Sequence, residues 1–158
     1  MKETNEQIQE TDKKLKELGI RHGGLSNNIG ESVEEFFFHG FEKKPVIGKI
    51  RLKKVIQNMK TDNAEYDIVL TNGMYVAVIE NKHKFQPDDL VKFISQNLPK
   101  FKKEFPKFKE CKIIACIAGF VIPKVTRDQA NEMGVYIFSQ SGENIKILNY
   151  KNFKPKEY

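Results

Sequence analysis

The segment AEYDIVL-TNGM-YVAVIENKHK, residues 64–84, constrains the fold more than any other part of the chain. Two runs rich in Val, Ile and Tyr flank Asn72-Gly73. Asn-Gly between alternating runs is the strongest short-range hairpin signal, because both central residues of a type I′ turn need positive φ. A two-residue loop at Asn72-Gly73 pairs Thr71 with Met74. Carried back along the strands, that register predicts Asp67 opposite Val78 and Glu65 opposite Glu80. Side chains alternate with period two. One face then carries Glu65, Asp67, Val69, Val76, Val78, Glu80 and Lys82, and the other Tyr66, Ile68, Leu70, Tyr75, Ala77, Ile79 and Asn81. The second face is apolar and belongs in a core. The first is apolar near the turn and charged away from it.

Elements on either side give the architecture. Residues 3–18 read as a short polar helix with a sparse seam of Ile8, Leu15 and Leu18. It either lies against the domain or serves as a coiled-coil arm that would make a homodimer. Gly19, Gly23 and Gly24 break it, and Ser26, Asn27 or Asn28 can cap the next helix. That helix, IGESVEEFFFHGF, sets Ile29, Val33, Phe36 and Phe37 on one side at helical spacing. On the same wheel Glu34 borders the apolar stripe, while Glu31 and Glu35 point away. Residues 43–61 hold seven basic residues and no acid, with Val and Ile threaded between them, and read as one or two strands. After the hairpin, PDDLVKFISQNLPKFKKEF predicts a helix kinked at Pro99, CKIIACIAGFVI a buried strand, and VTRDQANEMG a short helix ended by Gly134. VYIFSQ and NIKILNY read as closing strands, and KNFKPKEY as a loose tail. Runs of strands and helices in this order predict an α/β fold with a mixed sheet.

Composition removes several classes. A chain of 158 residues with 39% hydrophobic residues and 12 Phe is long enough for one packed core and too apolar to be disordered. No run approaches the roughly 20 apolar residues of a membrane span, and MKETNEQIQETDKK has no apolar secretory core, so a cytoplasmic protein with no membrane partner is expected. Cys111 and Cys116 fall on opposite faces of one strand and read as buried thiols. His22, His39 and His83 have no ligand spacing to one another. Neither a Walker phosphate loop nor a dinucleotide glycine motif is present. The net charge of +6 favours an anionic partner. Lys49, Arg51, Lys53, Lys54 and, beyond the hairpin, Lys84 are the candidates for phosphate contact. For residues 43–61 the alternative is an edge strand whose lysines discourage pairing.

Like charges gathered on one hairpin face repel, and nothing in folding asks for them. A hard divalent ion, taking one or two carboxylates with water and phosphate oxygens, would relieve that repulsion. Lys82, two residues past Glu80 on the same face, could orient a metal-bound water and meet developing charge. The pattern Asp67, then Glu80-Asn81-Lys82 on a hairpin, preceded by a helix with Gly30-x-x-x-Glu34, resembles the PD-(D/E)XK nuclease superfamily, its Holliday-junction-resolving branch in particular. The likeness runs over roughly residues 15–140; Tyr66 stands where that pattern has Pro. It implies a restriction-endonuclease-like αβββαβ core over residues 21–150, between an N-terminal arm (1–20) and a basic tail (151–158). It implies Mg²⁺ or Mn²⁺ as cofactor and nucleic acid, DNA first, as partner. Asp67 would be the principal metal ligand, Glu80 and the Asn81 carbonyl further ligands, Glu34 a completing acid, and Lys82 the residue that positions water. Glu65 is a candidate auxiliary acid with no warrant from the likeness. Gln96 reads as helix surface before polar helper. Two other functions share the basic surface: a nucleic-acid-binding module without cleavage, and a protein-interaction module joined through the N-terminal helix.

Overall fold

The computed structural model describes residues 25–149 and 153–158. The N-terminal helix expected at 3–18, and any dimer built on it, lies outside these residues. Helix α1 (Leu25–Lys43) is followed by β1 (Val46–Ile47), β2 (Ile50–Arg51), β3 (Lys54–Lys60), β4 (Glu65–Thr71) and β5 (Tyr75–Lys84). Helices α2 (Pro87–Lys92) and α3 (Leu98–Glu104), strand β6 (Lys112–Val121), helix α4 (Lys124–Met133) and strands β7 (Tyr136–Ser141) and β8 (Asn144–Ile147) complete the order. Six strands form one sheet in the order β3-β4-β5-β6-β7-β8. β3, β4 and β5 pair antiparallel, β5-β6 and β6-β7 parallel, and β7-β8 antiparallel. The mixed α/β sheet expected from the element order is therefore present.

Two apolar layers bury the sheet. On one face α1 contributes Val33, Phe37 and Phe41 against Ile68, Leu70, Ala77, Ile79, Ile114, Cys116 and Ala118. On the other, Leu90, Phe93, Leu98, Phe101 and Ala130 of α2, α3 and α4 and the turn between them cover Val69, Val76, Val78, Ile113, Ala115 and Ile117. β6 alternates between both layers, which is why its sequence reads as one unbroken apolar run. Cys111 and Cys116 are free thiols buried in opposite layers.

Several expectations are corrected. Residues 43–61 make three strands, because Gly48 at φ +60 turns the chain between β1 and β2 and exposed Lys53 separates β2 from β3. The helix after the hairpin does not simply kink at Pro99. Residues Phe93–Asn97 widen into a π turn, with the Leu98 amide reaching the Phe93 carbonyl, so the prolyl ring enters the first turn of α3. The tail at 153–158 is docked, not loose. β7 meets β6 only from Cys116 onward, which leaves the start of β6 open on that side. The tail fills this edge: Glu157 bridges Ile114, and the Tyr158 amide donates to the Ile113 carbonyl at 2.8 Å. Phe153 packs edge-on against Tyr136.

The register of the hairpin is also corrected. The observed pairs are Thr71 with Val76, Leu70 with Ala77, Val69 with Val78 and Ile68 with Ile79. The loop is thus Gly73-Met74, with positive φ at Gly73 alone. The cause is the Asn72 side chain. Its Oδ1 accepts the amides of Met74 at 2.9 Å and Tyr75 at 2.8 Å, closing an Asx turn in place of a turn centred on Asn72-Gly73. The Asn72 amide then donates to the Tyr75 carbonyl. Moving the loop by one residue moves every partner by two, so the facing pattern survives while the pairs change. Continued past Ile68 and Ile79, this register sets Asp67 opposite Glu80 and Glu65 opposite Lys82, in place of Val78 and Glu80.

Candidate active site

The site forms where β4 and β5 stop pairing. Their ladder ends at Ile68-Ile79, although both strands run on. Past that point the Asp67 carboxylate enters the gap and accepts the Asn81 amide at 3.1 Å. A side chain thus replaces the backbone partner that Asn81 has lost, and it fixes Asp67 beside Glu80. On the other side of β4, Asn58 lies across from Asp67 in left-handed backbone, φ +53, and interrupts the β3 ladder. Alternation fails here too. Tyr66 packs with the α2–α3 layer, edge-on to Phe101, and donates through its hydroxyl to the Asn97 carbonyl in the π turn at 2.6 Å. It does not join Ile68 and Leu70 as simple alternation predicts.

Asp67 and Glu80 are both half-buried. Burial pushes the Glu80 carboxyl up to about 8, the Asp67 charge and then Asp89 push the same way, and Lys82 and Lys92 oppose them. Asp67 is raised as well, chiefly by burial and further by Glu65, against the Asn81 amide and Lys82. Two facing acids that both resist ionising are a donor set that suits a cation. Their oxygens and the Asn81 carbonyl match what a hard divalent ion takes, with water filling the remaining positions. Lys82 is exposed at the same end. Gly119 faces it across the parallel β5-β6 pair, and a β-carbon there would lie 2.8 Å from the Lys82 carbonyl oxygen. Only glycine lets β6 run that close.

Glu34 is the half-buried acid of α1 and Glu35 is exposed, as the wheel projection expects. The side chain of Glu31 lies outside the described residues. Glu34 is held by β3: Gln57 donates to it at 3.2 Å, and Asn58, with its amide nitrogen turned inward, donates to both oxygens at 3.3 Å. Burial raises its pKa first, then the charge of Asp67, while the two amides lower it. Among the described residues, no three His, Cys, Asp or Glu side chains form a group able to hold a metal. The acids therefore come together as a facing pair with a third carboxylate nearby on its own polar support. Glu65 is exposed and pairs in register with Lys60 of β3. Gln96 is exposed in the π turn.

The basic candidates separate into two places. Lys84 ends β5, two residues beyond Lys82, at the carboxylate end. Arg51, Lys53 and Lys54 lie at the opposite end of the hairpin: Lys54 pairs with Thr71, the Lys53 amide donates to the Thr71 carbonyl, and the Arg51 carbonyl accepts the Asn72 side chain. Lys49 is exposed in the turn between β1 and β2. These four do not frame the acids directly, because Thr71 is four residues, roughly 13 Å, up the strand from Asp67. Sequence reasoning missed Gln57 and Asn58, hidden in a segment read for its lysines and for the Val and Ile between them. It also missed Asp89 and Lys92, whose acidic first turn and basic last turn on α2 were the available signal. Asn81 has an orphan donor, its buried Nδ2 finding no hydrogen-bond partner.

No family model matches the chain, and no curated protein matches it. Among solved structures it is similar to the crystal structure of a repair endonuclease from Pyrococcus abyssi, with a TM-score of 0.52 at 11% identity. The match covers 68% of this chain and 46% of that one, so the chain spans about half the length of that protein. At this identity the likeness is one of fold. The six-stranded mixed sheet flanked by helices is the restriction-endonuclease-like arrangement.

Proposed function

We propose that the protein is a metal-dependent nuclease that hydrolyses phosphodiester bonds in nucleic acid, DNA first. The observation that carries this reading is the end of the hairpin, where Asp67 and Glu80 face one another across splayed strands with Lys82 beside them. Asp67, Glu80 and the Asn81 carbonyl would hold Mg²⁺ or Mn²⁺, with Glu34 the further acid on the α1 side. When bound, the ion supplies charge neutralisation at the phosphate and activation of a water. The Asn81 amide keeps the Asp67 carboxylate aimed into the gap. The exposed Lys82 ammonium, with three donors, can hold the attacking water and meet negative charge on a phosphate oxygen. Water is the nucleophile: it gives up a proton as its oxygen bonds to phosphorus, the ester P–O bond breaks, the leaving oxygen takes up a proton from solvent, and no covalent enzyme intermediate forms. The similar fold of a repair endonuclease supports this reading.

Two observations favour a second reading, nucleic-acid binding without cleavage. Glu34 is engaged by Gln57 and Asn58, and the described residues contain no three-ligand group. A cleavage screen on branched, duplex and single-stranded DNA with Mg²⁺ or Mn²⁺ decides between the two. Cutting is expected, dependent on the ion and abolished by Asp67→Asn. Binding to all three substrates with no cutting under either ion would establish the second reading.

A further inference from the structure

We propose that nucleic acid lies along the open edge of the sheet, from Lys60 beside the carboxylates to the cations at the hairpin tip. This rests on the nucleic-acid reading above but not on cleavage. β3 is an edge strand of the six-stranded sheet. Lys54 and Lys60 are exposed at its two ends, Lys54 level with Thr71 and Lys60 level with Glu65; the left-handed Asn58 between them switches the faces, so they reach out on opposite sides of the edge. Six residues of strand span about 20 Å, which matches roughly six base pairs of duplex axis. Arg51 and Lys53 continue the line past the tip, both exposed.

Two facts separate this surface from ordinary edge protection. The cations run unbroken by any acid from 43 to 61, through two short strands and a turn that have no edge of the large sheet to guard. Among the described residues, the ion pairs formed involve His39, Lys112 and Lys124, and none of Arg51, Lys53, Lys54 or Lys60. A protecting lysine discourages a second strand equally well when paired. A row left unpaired is available to phosphates. Acids flank the middle of this edge, where Gln57 donates to Glu34 at 3.2 Å and to Glu35 at 3.1 Å, so the cations that hold a polyanion here are those at the two ends. The length of the edge then sets the substrate class: a strand long enough to reach both ends, not a mononucleotide or a short fragment.

The test is binding in Ca²⁺ by Arg51→Gln/Lys53→Gln/Lys54→Gln in a protein also carrying Asp67→Asn. The probes are a duplex of roughly 20 base pairs and an oligonucleotide of about four nucleotides. The triple variant is expected to bind the long duplex about tenfold more weakly, with a salt slope shallower by about 2–3. Binding of the short oligonucleotide should not change. An unaltered affinity and slope for the duplex would overturn the proposal. So would equal weakening for both probes, and so would self-association of the variant with affinity unchanged, which is the result of pure edge protection. The Asp67→Asn protein with native lysines separates this from the nuclease reading. If it binds the duplex with the full slope while the unaltered protein never cuts, the surface stands and the nuclease reading fails.

Discussion

The two ends of the β4-β5 hairpin are built on opposite terms. At the tip the polar groups of the turn are matched: Asn72 accepts two amides and donates to the Arg51 carbonyl, while the Thr71 hydroxyl bonds the Tyr75 carbonyl and receives the Gly73 amide. At the far end the ladder has stopped, two acids face one another half-buried, and the side-chain Nδ2 of Asn81 is left without a partner. Local satisfaction at one end imposes dissatisfaction at the other, because register is inherited along the whole strand. The tip decides which residue Asp67 meets, and it meets Glu80.

The largest expected effect breaks the chemical end alone. Lys82→Ala should lower the cleavage rate by roughly 10²–10⁴-fold with little change in melting temperature, because the side chain is exposed. Single-turnover rates beside thermal melts would show it; a loss of activity matched by unfolding would refute the assignment. Gly119→Ala acts through the backbone, pressing on the Lys82 carbonyl, and should lower the rate less while leaving substrate affinity intact.

Next comes the pH dependence of stability. Glu80 is held near 8 in the folded chain against 4.5 ordinarily, so folding favours its protonated form. That stabilisation is complete below about 4.5 and is lost as pH rises through about 8. Without divalent ions, melting temperature should fall across this window, and Glu80→Gln should flatten the fall. Mg²⁺ added at pH 8 should restore part of the loss, since the ion favours the ionised pair. A profile that rises from pH 5 to pH 8 and ignores Glu80→Gln would contradict the burial described.

The smallest effects break the tip. Gly73 has φ +92 and open space around it, so Gly73→Val meets backbone strain alone, about 1–2 kcal/mol. Asn72→Ala removes the acceptor of two amides and should cost about 1 kcal/mol in denaturant melts. If the tip governs register, both variants lose more activity than their stability loss explains. Activity tracking stability alone would uncouple the two ends.

Much of this was legible because it depends on short-range pattern. The α1 stripe, the alternation of the hairpin, the apolar β6 and the left-handed Gly134 that ends α4 each follow from spacing within one element. The two acids and the lysine were legible as a set for the same reason. The register was not, because a single side chain, Asn72, competed with its own backbone for the turn. The inversion of Tyr66 depended on a hydroxyl finding a carbonyl 31 residues away in a π turn. The supports of Glu34 came from β3, 23 residues on in sequence, and nothing local marks Gln57 as a partner. The tail looked loose because its composition is polar, whereas its docking answers a vacancy in β6 that appears only once β7 proves short.

That docking has a consequence for how copies of this chain behave at high concentration. The start of β6 is a ready template for a foreign strand, apolar on both faces and unpaired on one side until residues 153–158 arrive. The tail therefore competes, as a tethered peptide at high effective concentration, with any β-strand offered by a neighbour. A segment that contributes nothing to the acids at the other end of the sheet thus occupies the edge positions a foreign strand would need.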